Sequence, residues 1–375
     1  MKDLNEIRKE IDSIDREMIN LFKRRMDVSK QVAVYKKENN LPVLDEKREK
    51  EVIKKAELLG EDYAPSVKLL YTNLMELSRA AQYDIVGANN SLKELILNAA
   101  EMPDNKNVSV AFQGIKGANS HEAASLLFPD GMLKNYKTFG DVFEAVKNGE
   151  CDYGVLPVEN STAGSVSAVY DLILRYRFYI ISALNMPIDY CLAGLNQSEI
   201  GDIEKVISHP QALSQCKSYT DKMNFEPLPC SNTAVAARDT AREKRLNLAA
   251  ICPYKAAEEY GLKVLDNHIQ DNPNNATRFI VISKKLCISK DANKVSLCFS
   301  LPHVAGSLYS LLCRFHSQGL NLTKIESRPI SGGDFEYLFY LDFSGNVKSR
   351  GVTKLLCQLS EELPGFSFLG NFCEE

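Results

Sequence analysis

From Leu4 to Asn39 the chain runs without a proline or a glycine, and Leu4, Ile7, Ile11, Ile14, Met18, Leu21 and Phe22 recur at three- and four-residue steps. That period predicts one amphipathic helix, stopped by Pro42. At about 1.5 Å rise per residue it would extend roughly 50 Å, against the ~11–12 residues of an average helix. One small domain cannot wrap such a rod, and a second copy lying along it is the expected partner.

The cations on this helix limit what it could hold. Taken singly, Arg8, Arg25 and Lys36 read as a solvated face, but Arg25 and Lys36 are eleven residues apart. Three helical turns bring them to the same side, about 16 Å apart along the axis. Arg8 lies roughly 26 Å before Arg25 and about a quarter turn away, so it could serve the same ligand only from a second, antiparallel chain. After Pro42, Asp45 is placed either to cap a second helix bearing Arg48 and Glu49 or to meet the ligand. A third helix, about Ser66 to Asp84, carries Ser78 and Gln82 four residues apart on one face. Such a set suits a small dicarboxylate undergoing a rearrangement that needs neither nucleophile nor proton transfer: guanidinium forks hold carboxylates, while Lys36 and Gln82 stabilise charge on a departing ether oxygen.

Residues 1 to about 85 resemble the all-helical chorismate mutases through Arg8, Arg25-Met26-Asp27-Val28, Tyr35-Lys36, Asp45-Glu46-Lys47-Arg48-Glu49 and the Ser78 to Gln82 pair. The resemblance implies a chorismate site of Arg8, Arg25, Lys36, Asp45, Arg48, Glu49, Ser78 and Gln82, within an intertwined dimer in which one arginine comes from the partner chain.

With 375 residues the chain exceeds the ~250–300 at which single cores split, so several domains are expected. A net charge of -4 gives no support to nucleic-acid binding. Met1 to Glu6 lacks an apolar signal core and no run of ~18 apolar residues occurs, so a cytoplasmic protein without membrane association is expected. Ten scattered cysteines and five histidines lack metal-ligand spacing. We expect no disulfide, metal or cofactor. The Gly87 to Ser91 run and the Pro103-Asp104-Asn105 turn mark a linker, 88–106, with a short helix inside it.

From 107 to 285 short apolar strands alternate with helices. Strands are expected at Val108–Phe112, Tyr153–Val158, Tyr179–Asn185, Lys205–Ser208, Leu248–Cys252 and Phe279–Ile282. Helices are expected at Ser120–Leu127, Phe139–Asn148, Ser165–Arg175, Pro210–Met223 and Thr233–Lys244. The alternation predicts a two-lobed α/β domain with largely parallel sheet and a site beyond the strand ends. There the Gln113 to Ser120, Glu159 to Ser165 and His209 to Leu213 loops place helix N-termini beside a cleft suited to an anion.

This stretch resembles prephenate dehydratase through Pro157-Val158-Glu159-Asn160-Ser161, Ser208-His209-Pro210-Gln211-Ala212-Leu213 and Thr277-Arg278-Phe279, with Gly114-Ile115 where Gly-Pro is usual. The resemblance implies loss of the ring hydroxyl and a carboxylate from prephenate, with Asn160, Ser161, Gln211, Thr277, Arg278 and Phe279 around the substrate. Thr277 is the expected donor to the leaving oxygen, and Arg278 a carboxylate partner or site organiser. Glu159 is a candidate general acid or a structural hydrogen-bonding group. His209, followed by proline and lacking an acidic orienter, reads as structural.

Between 293 and 375 the pattern is strand Lys294–Leu301, helix Gly306–Gln318, strand Leu320–Pro329, a Gly332-Gly333 turn, strand Phe335–Phe343, helix Val347–Leu363 and strand Phe366–Phe372. This is the order of a ferredoxin-like α+β fold. It resembles the ACT regulatory domains of prephenate dehydratases through Ala305-Gly306-Ser307-Leu308 and Glu326-Ser327-Arg328-Pro329. The implied ligand is phenylalanine acting as feedback inhibitor, although Glu326 and Arg328 could instead pair structurally. The whole reads as a multidomain enzyme: an all-α mutase at 1–87, a dehydratase at 107–285 and a regulatory domain at 293–375. The alternative is a metabolite sensor on the same domains with catalysis lost.

Overall fold

The computed structural model describes residues 3–87, 90–101, 106–329 and 337–375. The expected Pro103-Asp104-Asn105 and Gly332-Gly333 turns, Ala88-Asn89 and Phe335 lie outside them. The chain forms two compact units, Met1–Asn98 with Leu297–Ser367, and Ala99–Ser296 with Phe368–Glu375.

Helix α1 (Leu4–Glu38) opens on a capping box in which the Asp3 side chain accepts the Glu6 backbone N–H and the Glu6 side chain accepts the Asp3 backbone N–H. Its apolar stripe is uncovered: Leu4, Ile11, Ile14, Met18 and Leu21 are 51–61% exposed. Helix α2 (Glu46–Leu59) starts where Asp45 accepts from the Arg48 N–H at 3.0 Å. Helix α3 (Ala64–Val86) packs against both and buries Met75, Ser78, Arg79, Gln82 and Tyr83. The short linker helix is α4 (Asn90–Leu97).

The second unit has two sheets. In the first lobe are β1 (Ser109–Gln113), α5 (Asn119–Leu127), β2 (Met132–Tyr136), α6 (Phe139–Asn148), β3 (Tyr153–Asn160), β4 (Gly164–Ser165), α7 (Ser167–Tyr176) and β5 (Tyr179–Pro187). The second lobe comprises β6 (Cys191–Gly194), β7 (Lys205–Ser208), α8 (Pro210–Gln215), α9 (Lys217–Lys222), β8 (Glu226–Pro229), α10 (Thr233–Glu243), β9 (Leu248–Cys252), α11 (Tyr254–Glu259) and β10 (Lys263–Asp266). Strand β11 (Ala276–Ser283) then returns to the first lobe, between β5 and β3.

The sheets are mixed, which corrects the largely parallel expectation. β1 runs parallel to β2 and β3, and β7 to β8 and β9, but β11 is antiparallel to both neighbours and β6 to both of its own. Because β11 re-enters from the other lobe rather than through a crossover helix of its own, its direction is not tied to parallel pairing. The expected Pro210–Met223 helix is two. Asp271 breaks it: its backbone N–H takes the Gln215 carbonyl at 2.7 Å, and its carboxylate receives the Ser218 N–H at 3.2 Å. Strands β2 and β8 escaped the sequence pattern because they are polar, exposed edges, one of them carrying Pro227 and Pro229.

The last segment runs β12 (Lys294–Leu301), α12 (Ser307–Ser317), β13 (Leu322–Pro329), β14 (Tyr337–Ser344), α13 (Arg350–Glu362) and β15 (Ser367–Glu374), with strand neighbours β13-β14-β12-β15. The end of β15 belongs to the second unit, where Cys373 and Glu374 pair parallel with Ser182 and Ala183 of β5.

Candidate functional sites

A cavity of about 480 Å³ opens in the second unit, lined among others by Asn119, Ser120, Asn160, Tyr190, His209, Gln211, Asn232, Thr233, Thr277 and Phe279. The starts of α5 and α10 lie on its wall, since Ala118 and Asn232 are their caps. Lysine and arginine are absent from its described lining. Negative charge would be received by helix N-termini and neutral donors instead.

Asn160 organises one wall. Its side-chain N–H₂ donates to Asn275 Oδ1 at 2.9 Å, the Ala276 carbonyl at 3.1 Å and Thr277 Oγ1 at 2.9 Å, while its Oδ1 accepts the backbone N–H groups of Thr162 and Ala163. Thr277 is 8% exposed. Because its oxygen already accepts from Asn160, its own proton remains to be donated into the cavity. His209 caps α8, with Nδ1 accepting the Gln211 N–H at 3.2 Å, and burial lowers its pKa. A neutral ring so held presents Nε2–H. Burial pushes the Tyr190 hydroxyl far above its ordinary range, so it too is a standing donor.

Two expected site residues face the other way. The β3–β11 register sets Thr277 opposite Asn160 and Phe279 opposite Pro157, all four on the cavity, whereas Arg278 lies opposite Glu159. Side chains alternate along a strand and opposed residues share a face. Arg278 and Glu159 therefore occupy the face away from the cavity lining, where the site-organiser reading of Arg278 and the structural reading of Glu159 fit better than contact with a substrate. Arg278 Nε meets Glu374 Oε1 at 2.6 Å, and Glu374 Oε2 meets Lys294 at 2.6 Å. Ser161 likewise is turned to the backbone, accepting the Ala276 N–H at 3.0 Å. Tyr190, Asn119 and Asn232 were missed by sequence reasoning. Asn119 and Asn232 gave a signal, each a polar residue just ahead of an expected helix, but nothing in one sequence says that these two helices start at one cavity.

In the first unit, Arg25 Nη1 donates to Ser78 Oγ at 2.6 Å, Lys36 Nζ to the Val43 carbonyl at 2.6 Å and Gln82 Nε2 to Ser29 Oγ at 3.3 Å, leaving Gln82 Oε1 buried and unpartnered. Glu49 pairs with Arg79 at 2.9 Å. Burial raises the Glu49 pKa while Arg79 opposes the rise. Asp45 caps α2, Arg48 is exposed beside Glu51 at 3.6 Å, and Arg8 is exposed on the early turns of α1. One chain thus joins Arg25 to Ser78 but does not bring Arg8 to them. Sequence reasoning also missed Arg79. Its signal was a buried spacing, Met75, Ser78, Arg79 and Gln82, that includes a cation.

Of the last candidates, Gly306 takes a left-handed φ of 90° ahead of α12, and Ser307 Oγ donates to the Val304 carbonyl. Ala305 is exposed and Leu308 half-buried. On β13, Glu326 and Arg328 share a half-buried face, Ser327 and Pro329 the exposed one, and Lys324 lies 3.2 Å from Glu326.

Fold and sites together define a protein with a bundle of cation-bearing helices and a two-lobed α/β domain with a cavity edged by two helix N-termini. The sequence matches the family model of chorismate mutase type II over residues 7–83 and that of prephenate dehydratase over 110–286. It is 33% identical over 377 residues to the bifunctional chorismate mutase/prephenate dehydratase of Aquifex aeolicus, covering 99% of this chain and 98% of that one. It is 35% identical over 283 residues to arogenate dehydratase/prephenate dehydratase 1, chloroplastic, of Arabidopsis thaliana, covering 71% and 72% respectively. The solved prephenate dehydratase of Arthrobacter aurescens in complex with L-Phe superposes with a TM-score of 0.66 at 32% identity, covering 71% of this chain and 90% of that one. The chain belongs to the bifunctional chorismate mutase/prephenate dehydratase family.

Proposed function

We propose that the chain makes phenylpyruvate from chorismate in two steps. The helical segment rearranges chorismate to prephenate, and the two-lobed domain dehydrates and decarboxylates it. The observation that carries the second step is the Asn160–Thr277 hydrogen bond at the cavity wall. Thr277 donates its proton to the departing ring hydroxyl, which leaves as water, and Thr277 takes back a proton from solvent, the one proton the reaction consumes. The electron pair of the breaking carbon–carboxylate bond enters the ring as carbon dioxide departs, and aromatisation drives the step. The N-termini of α5 and α10, with His209 and Tyr190, hold the carboxylates.

For the first step, Arg25 and the partner's copy of Arg8 hold the dicarboxylate, and Lys36 and Gln82 stabilise charge on the ether oxygen, with Asp45, Arg48, Glu49 and Ser78 around them. The uncovered stripe of α1 supports a homodimer in which this helix lies along its twin. The domain division 1–87, 107–285 and 293–375 is our reading, supported for the first two segments by the family matches over 7–83 and 110–286. The βαββαβ order and strand neighbours support a ferredoxin-like ACT domain in the third. There Gly306 and the start of α12, with Glu326 to Pro329, would take phenylalanine as feedback inhibitor, as the L-Phe complex of the Arthrobacter relative suggests. Among the described residues no helix is long and apolar enough to cross a membrane, and we place the enzyme in the cytoplasm.

The test is to incubate the purified chain with chorismate and follow its loss and the appearance of phenylpyruvate. Persistence of both chorismate and added prephenate would instead favour a sensor that has lost catalysis.

A further inference from the structure

We propose that Arg79 is a positioning residue of the mutase site, and that Arg314 and Glu362 of the C-terminal segment complete the site by holding Arg79. The inference rests on the reading of Glu49 as a chorismate contact.

The geometry is a closed cluster of five charges within the first unit. Arg79 Nη1 meets Glu49 at 2.9 Å, Nη2 pairs with Glu76, and Nε lies 3.7 Å from Glu362. Arg314 on α12 meets Glu76 at 2.7 Å and pairs with Glu362 on α13. All five side chains are at most 20% exposed. Each arginine is therefore shared by at least two carboxylates, and each of Glu76 and Glu362 touches both arginines.

A buried cluster of this kind is a poor device for stability alone, because desolvation offsets most of the attraction and apolar side chains would do as well. What it does supply is one geometry. Arg79 has its planar fork paired closely with two carboxylates, with Glu362 3.7 Å from Nε, so Glu49, which has no other charged partner in the cluster, is held where Arg79 puts it. Arg79 lies on α3 between Ser78 and Gln82 and is buried with them, so its pair with Glu49 ties the α2 carboxylate to the helix that carries those two residues. The consequence is that the mutase site of this chain depends on two residues more than two hundred positions further along.

The experiment uses the full chain, with dehydratase turnover in the same preparation as the control for folding. Arg79→Met and Arg314→Met are expected to lower mutase kcat/KM roughly tenfold or more with dehydratase kinetics unchanged, as small misplacements at a site cost rate steeply. Arg314→Lys should recover most of the loss, and Glu362→Gln should fall between. Among the groups facing Glu49, which are Arg79, Glu76, Glu362 and Arg314, only Arg79 touches it. Loss of Arg79 should also move the Glu49-dependent limb of the mutase pH profile upward. Wild-type mutase kinetics in both methionine variants, or a parallel fall in both activities, would overturn the proposal while leaving the site reading in place. Wild-type mutase kinetics in Glu49→Gln would overturn the site reading and this inference with it.

Discussion

The side-chain amide of Asn160 donates to Thr277 Oγ1 at 2.9 Å across the β3–β11 pair, so one residue fixes the direction in which the other can give its proton. Thr277→Ala should remove the donor and lower dehydratase kcat by ~10²–10⁴-fold, the usual range for a positioned proton donor, with mutase turnover intact. Thr277→Ser should keep most of the activity. Steady-state kinetics on chorismate and on prephenate check this, and wild-type dehydration by the alanine variant would remove Thr277 from the mechanism.

Because Arg278 lies on the far face with Glu374, its loss should be felt as stability before it is felt as binding. Arg278→Met leaves the carboxylate of Glu374, 16% exposed, with Lys294 alone. A cost of about 1–3 kcal/mol is expected, a fraction of what an uncompensated buried charge costs. A thermal melt should show a lower midpoint while the KM for prephenate changes little. An unchanged midpoint with a KM raised more than tenfold would put Arg278 at the substrate after all.

Arg8→Ala and Lys36→Ala should each abolish mutase activity while dehydration survives. Mixed and allowed to exchange subunits, the two variants should recover part of it, since a hybrid dimer has one site with both residues intact. Absence of recovery despite exchange shown by mass-tagged subunits would contradict a site shared between chains.

Burial lowers the imidazole pKa values of His121 and His209 below the ordinary 6.5. At pH just under 6.5 the unfolded chain then binds more protons than the native one, so stability held above that pH is lost as pH falls through the lowered values. Melting midpoints measured across this range should decline for the wild type and decline less steeply for His209→Gln. Parallel curves would mean that His209 does not contribute.

The length and stripe of α1, the cap at Asp45, and the βαββαβ order of the last segment were legible because each is a local matter of period, cap or turn. So was the tendency of helix N-termini to gather at strand ends in the second unit. The facing of Thr277 and Arg278 was not. Adjacent strand residues point oppositely, and which one meets the cavity was decided by register: a bulge at Val158 lets Pro157 and Asn160 share the face of Phe279 and Thr277.

The division between the two kinds of information is physical. What the sequence by itself determined are elements whose hydrogen bonds and apolar faces are satisfied within a few residues, together with residue types suited to a dicarboxylate. Only the tertiary structure decided how partners far apart in the chain meet: Asp271 splitting the helix after Pro210, Glu374 taking Arg278 away from the cavity, and Arg314 and Glu362 closing around Arg79. Those meetings depend on burial and direction in space, to which no local period corresponds.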